Sequence, residues 1–116
     1  MAEAKIETRV ENKNICVVHI VGEVDSGNLL ELEGALKPVI DDAKIKYIVF
    51  DCNDLIFIDS KVVGYIAYLH TTLAHATRSI AFAQTNETIN DILMLVGLTT
   101  IIPQFNTTED AISNLQ

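Results

Sequence analysis

A serine preceded by an aspartate, Asp59-Ser60, stands where an apolar run ending at Ile58 gives way to a helical stripe beginning at Val62. That order makes Asp59 the natural N-cap and Ser60 the first residue of a helix. A hydroxyl there lies at the solvent mouth of the helix, beside amides without carbonyl partners. A phosphate on it would be received by those amides and by the positive helix end. It would also bring a charge of about −1.5 to −2, part of which Lys61 would offset. The chemistry that fits is modification by another protein, with the hydroxyl as substrate. The plainer reading is that Asp59 and Ser60 only cap a helix.

Other reactive arrangements are thin. The chain has no G-x-S-x-G elbow, no phosphate-binding glycine loop and no HExxH. His19 falls within a strand pattern, and His70 and His75 are five residues apart, which does not stack two ligands on one helical turn. Glu23, Asp25 and Asp51 fall at strand ends, where a hydrated magnesium ion accepts carboxylates. Nothing else of a phosphoryl-transfer site accompanies them, so capping is the favoured role. Cys16 and Cys52 each sit in an apolar stretch and read as buried thiols. No metal, no cofactor and no catalysis of the chain's own is expected.

The elements that must position these residues follow from two alternating periods. Ile6, Thr8 and Val10 alternate with charged residues as a half-exposed strand. The polar turn Glu11-Asn12-Lys13-Asn14 leads into a β-branched run, 15–21, so an antiparallel hairpin is predicted. Asp25 or Ser26 is the expected N-cap of a helix whose stripe is Leu29, Leu32, Leu36, Val39 and Ile40, with Pro38 expected to kink its last turns. The run 47–52 has the make-up of a central strand covered on both faces, and apolar 55–58 follows it. Helix then returns, with Val62, Val63, Ile66, Leu69 and Leu73 on one face. A strand at 78–82 follows, then a helix capped within Thr85-Asn86-Glu87-Thr88 and stopped by Gly97. Thr100-Ile101-Ile102 is expected as a short strand, with Pro103 marking a sheet edge. A last helix opens at Thr107, with Asp110 able to reach back to it. The predicted order is β-β-α-β-α-β-α-β-α: an α/β fold with an N-terminal antiparallel hairpin, then parallel strands joined by right-handed crossovers. Ligands of such sheets gather beyond the carboxyl ends of strands, which singles out the loops 22–28, 53–60 and 84–87.

Composition limits the partners. The 116 residues are 49% apolar, enough for one cooperative core and too few for two, so a single domain over 1–116 is expected. No apolar segment of about 18 residues exists to span a membrane. MAEAKIETRV lacks the apolar centre of a secretory signal, which makes the cytoplasm the expected compartment. A net charge of −8 disfavours nucleic acid and anionic membrane and favours a basic partner surface.

The chain resembles the STAS family, the domain of bacterial anti-sigma-factor antagonists. The likeness runs through Gly22-Glu23-Val24-Asp25, Ile48-Val49-Phe50-Asp51, Phe57-Ile58-Asp59-Ser60 and Gly64, then Gly97-Leu98 and Phe105-Asn106-Thr107-Thr108-Glu109-Asp110-Ala111. It implies a mixed sheet of about five strands and a non-enzymatic protein that binds an anti-sigma factor or related serine kinase. It implies phosphorylation at the serine matching Ser60, which blocks that complex, and a PP2C-type phosphatase that restores it. By the same likeness Asp25 and Asp59 join the recognition surface, to which the loop position adds Ser26 and the helix start adds Lys61. Tyr65 and Tyr68 either extend that surface or belong to the core. The family usually has a small residue and then glycine after the serine; here Lys61 and Val62 stand there. Two consequences are open: a retuned partner, or a binding scaffold of a signalling assembly in which phosphorylation has been lost.

Overall fold

The computed structural model describes residues 2–115. β1 (Ala4–Glu11) and β2 (Ile15–Val24) form the expected antiparallel hairpin, with Ala4 opposite Gly22 and Glu11 opposite Ile15. Its turn takes Asn12 and Lys13 through positive φ, 53° and 70°, the sense of turn that matches the twist of a strand pair. The remaining elements are α1 (Leu29–Ile40), β3 (Tyr47–Asp51), β4 (Leu55–Ile58) and α2 (Ser60–His75). After them come β5 (Ser79–Ala83), α3 (Glu87–Leu95), a 3-10 turn at Leu98–Thr100, β6 (Gln104–Phe105) and α4 (Thr108–Leu115). The sheet runs β1-β2-β3-β5-β6, parallel at every pairing after the hairpin.

The strand count rises to six because the apolar stretch from 47 to 58 is two strands. β3 lies between β2 and β5. At its end Cys52 N donates to Ala83 O at 2.9 Å, and the chain turns through Asn53 and Asp54, with Leu55 N donating to Cys52 O. Among the described residues β4 then resumes beside β2 alone, pairing Gly22 with Leu55 and Val24 with Ile58 across a register shift. Asn86 Nδ2 supplies the outer partner instead, donating to Leu55 O at 2.8 Å.

Thr100-Ile101-Ile102 is not a strand. Gly97 ends α3 with φ 78°, as its place predicts. Leu98 O then accepts from both Ile101 N and Ile102 N, coiling these β-branched residues instead of extending them. The edge strand lies just beyond Pro103, whose carbonyl accepts from Phe82 N at 3.0 Å. The capping expectation at the last helix holds in one half: Asp110 N donates to Thr107 Oγ1 at 3.0 Å.

The faces of the sheet are covered unequally. The stripes of α1, α2 and α3 pack on one side over Val18, Ile48, Phe50 and Phe82. On the other, Ala111 of α4 meets Ile15, Val17, Val49 and Ala83. β3 is therefore buried on both sides, as its uninterrupted apolar run predicts. α1 continues through exposed Pro38 to Ile40. Arg78 closes that helix from a distance: its guanidinium donates to the carbonyls of Val39, Ile40, Asp42 and Ile45 at 2.8–3.2 Å. Val39 and Ile40 belong to the last turn of α1, where carbonyls run out of helical donors, and Asp42 and Ile45 to the loop beyond it; Val39 O and Asp42 O also accept from Asp42 N and Ile45 N.

Candidate functional site

β2 and β4 run parallel and finish side by side, Val24 opposite Ile58. Both chains leave the sheet at that point, one into the 25–28 loop and the other into α2. Asp59 joins the two exits. Its Oδ1 accepts from Val62 N at 3.1 Å, which caps α2, and its Oδ2 accepts from Ser26 N at 2.9 Å. One carboxylate thus holds both the helix start and the neighbouring loop. An aspartate can do this because it presents two acceptor oxygens on a short stem.

The loop is built differently from the expectation that Asp25 or Ser26 caps α1. Asn28 holds the N-cap position and does not cap the helix with its side chain. Its side chain turns back, accepting from Asp25 N at 2.8 Å and donating from Nδ2 to Glu23 O at 2.9 Å. Asn28 is buried, with 7% exposure. Asp25 in turn accepts from Gly27 N at 2.7 Å. The side chains of Asp25 and Asn28 therefore satisfy the loop's own amides and carbonyl, a local use to which short polar side chains are suited. The sequence signal at Asn28, an asparagine just before an apolar helical stripe, is that of an N-cap and not of this loop role.

Ser26, Gly27, Ser60 and Lys61 are exposed, and Asp25 and Asp59 are partly buried beneath them. Ser60, Gly64 and Tyr68 recur every fourth residue along the exposed side of α2, with Tyr68 64% exposed. Of the two departures after the serine, only Lys61 reaches this surface. Val62 is 1% exposed and lies in the core, so its bulk adds nothing to the outer face. Among the described residues no three His, Cys, Asp or Glu side chains group to hold a metal ion. His19 Nε2 lies 2.8 Å from Asp54 Oδ2.

Beyond the first turn of α2, Tyr65 and Tyr68 line a groove of about 410 Å3 against Glu33, Lys37 and Ile40 of α1. Tyr65 is half-buried, and burial, with added repulsion from Glu33 and Tyr68, pushes its phenol up to about 12. It therefore stays a neutral donor across the physiological range. The core void beneath the site offers only about 10 Å3 and is lined by apolar side chains such as Ile20, Phe50 and Ile66. Cys52, at its wall, is pushed up to about 12, mainly by burial. It is a packed thiol, not a nucleophile.

Solved structures share this fold. An anti-sigma factor antagonist from Mycobacterium paratuberculosis superposes with a TM-score of 0.87 at 20% identity, covering 97% of this chain and 93% of that one. The anti-sigma factor antagonist SpoIIAA in its unphosphorylated form gives 0.84 at 18%, over 96% of each chain. The phosphorylated form of SpoIIAA from Bacillus gives 0.78 at 18%, over 97% of this chain and all of that one. The STAS domain model matches residues 6–111: by sequence and by fold, this chain belongs to the STAS domain family.

Proposed function

We propose that the chain is an anti-sigma-factor antagonist whose docking surface is gated by phosphorylation of Ser60. The observation that carries this reading is the placement of an exposed serine at the first position of α2, next to a loop held by the same carboxylate that caps the helix. Both segments form one outward surface, so a protein that docks on the 25–28 loop also meets the Ser60 hydroxyl. The unphosphorylated form sequesters an anti-sigma factor or serine kinase and so releases the sigma factor. The kinase supplies ATP and the active site; this chain supplies the acceptor oxygen.

A phosphate at Ser60 leaves the fold intact, because the group lies in water at the positive end of α2. Its effect falls on the partner. Two added negative charges beside Asp25 and Asp59 must be desolvated or matched by any surface shaped for a hydroxyl. Gly64, one turn on, supports the same reading. A Cβ there would meet open space, so packing does not require glycine, which costs about 0.5–1 kcal/mol in a helix interior. A partner that approaches the helix backbone closely does require it. The SpoIIAA structures, known in phosphorylated and unphosphorylated forms, are in keeping with a switch of this kind, and a PP2C-type phosphatase would reset it.

The test is incubation with a cognate anti-sigma serine kinase and ATP, followed by intact-mass measurement. The wild type gains one phosphate and Ser60→Ala gains none. Equal labelling of both would move the site elsewhere. No labelling of either, by a kinase active on its own substrate, would favour the unphosphorylated scaffold that Lys61 leaves open.

A further inference from the structure

β1 is the outer strand at one edge of the sheet; among the described residues only β2 pairs with it. Lys5, Glu7, Arg9 and Glu11 alternate in sign along one face, and Ile6, Thr8 and Val10 line the other. The ladder to β2 decides which backbone groups point outward. Glu23 N donates to Glu3 O at 2.9 Å, whereas Gly22, opposite Ala4, sends its amide the other way, to Asp54 O at 3.0 Å. Odd-numbered residues of β1 thus bond to β2, and Ile6, Thr8 and Val10 turn their N–H and C=O groups to the open edge.

We infer that this edge pairs with the β1 of a second copy, antiparallel, with Thr8 opposite the second copy's Thr8. Ile6 then faces the second copy's Val10, and these even positions exchange about two ladder bonds per pair. Lys5 faces the second copy's Glu11 and Glu7 faces its Arg9, each at a non-hydrogen-bonded position where facing side chains lie closest. Every facing charge is of opposite sign. Sliding one copy by two residues sets Glu7 against Glu7 or Arg9 against Arg9, which repels. A slide of four alternates again in either direction but leaves Val10 facing Ala2, or Thr8 facing Asn12, each outside the strand. The chosen register also covers Val10, which is 58% exposed in the single chain. An edge charged with one sign rejects its own copy; this one matches it. The pairing would join two sheets into one, and it does not rest on the function proposed for Ser60.

Sedimentation velocity on the full chain over a concentration series tests it. The wild type moves from a monomer to a dimer boundary as concentration rises. Glu7→Lys weakens association by about tenfold or more, and Glu7→Lys combined with Arg9→Glu restores it. Thr8→Pro removes only an outward amide, a position where an edge strand tolerates proline, and abolishes the dimer while circular dichroism stays native. A wild type that is monomeric at millimolar concentration overturns the inference. So does a dimer that survives both Thr8→Pro and Glu7→Lys, or a double swap that fails to re-form it.

Discussion

Replacing Asp59 by alanine removes two hydrogen bonds with one change, and the two can be separated. The cap on Val62 N is worth about 1 kcal/mol. The bond to Ser26 N has a charged acceptor, but the freed amide can rehydrate, so about 1 kcal/mol is a fair figure for it too. Together they predict a loss of about 2 kcal/mol, or about 8 °C in Tm for a domain of this length. Asp59→Asn keeps one oxygen for the cap and turns an NH2 toward the Ser26 amide, so it should lose about half as much, about 4 °C. Thermal unfolding followed by circular dichroism gives the sum. Amide exchange read residue by residue gives the parts: Ser26 and Val62 both lose protection in the alanine variant, and Ser26 alone in the asparagine variant. An alanine variant within about 2 °C of wild type, or unchanged exchange at Ser26, would refute the claim that one carboxylate holds the loop and the helix together.

Three further outcomes follow from the packing. Gly22 has φ +106°, and a Cβ there would lie 2.3 Å from Glu3 O; Gly22→Ala should cost about 2–4 kcal/mol in urea unfolding. Arg78→Ala takes the guanidinium donor from the carbonyls of Ile40 and Ile45 and should cost about 2–3 kcal/mol, with no recovery in Arg78→Lys, whose ammonium cannot fork. Tyr65, raised to about 12 mainly by burial, holds its proton more tightly folded than unfolded. Its contribution to stability is therefore complete below pH 10 and is lost as pH climbs toward about 12. Phenolate absorbance should show a late alkaline step that Tyr65→Phe removes.

Much of this architecture was legible because period and punctuation agree. The switch from alternation at Ile6 and Val10 to the stripes of α1 and α2 locates hairpin and helices, and Asp59 reads as a cap from its place before Val62. What escaped depends on particular hydrogen bonds, some between distant residues and some that override a local propensity. β4 is a separate strand because Asn53 and Asp54 turn the chain away from β5 and Asn86 takes up Leu55 O, a contact spanning 31 residues. Ile101 and Ile102 have strand propensity, yet two bonds to Leu98 O coil them. At the site, residue types located Asp59 and Ser60. The bond from Ser26 N to Asp59 joins positions 33 apart, which no local pattern encodes; Asn28 stands where the pattern signals an N-cap, yet its side chain turns back to Asp25 N and Glu23 O. Val62 belongs to the apolar stripe that the sequence assigns to α2, and it is buried there, 1% exposed.

The most direct measurement is the affinity of one anti-sigma partner for this protein with Ser60 free and with Ser60 stoichiometrically phosphorylated, compared by calorimetry at fixed salt. Both forms should unfold at similar temperatures, and the phosphorylated form should bind at least about a hundredfold more weakly. Equal affinity of the two forms, with phosphate occupancy verified by mass, would contradict a gate at Ser60.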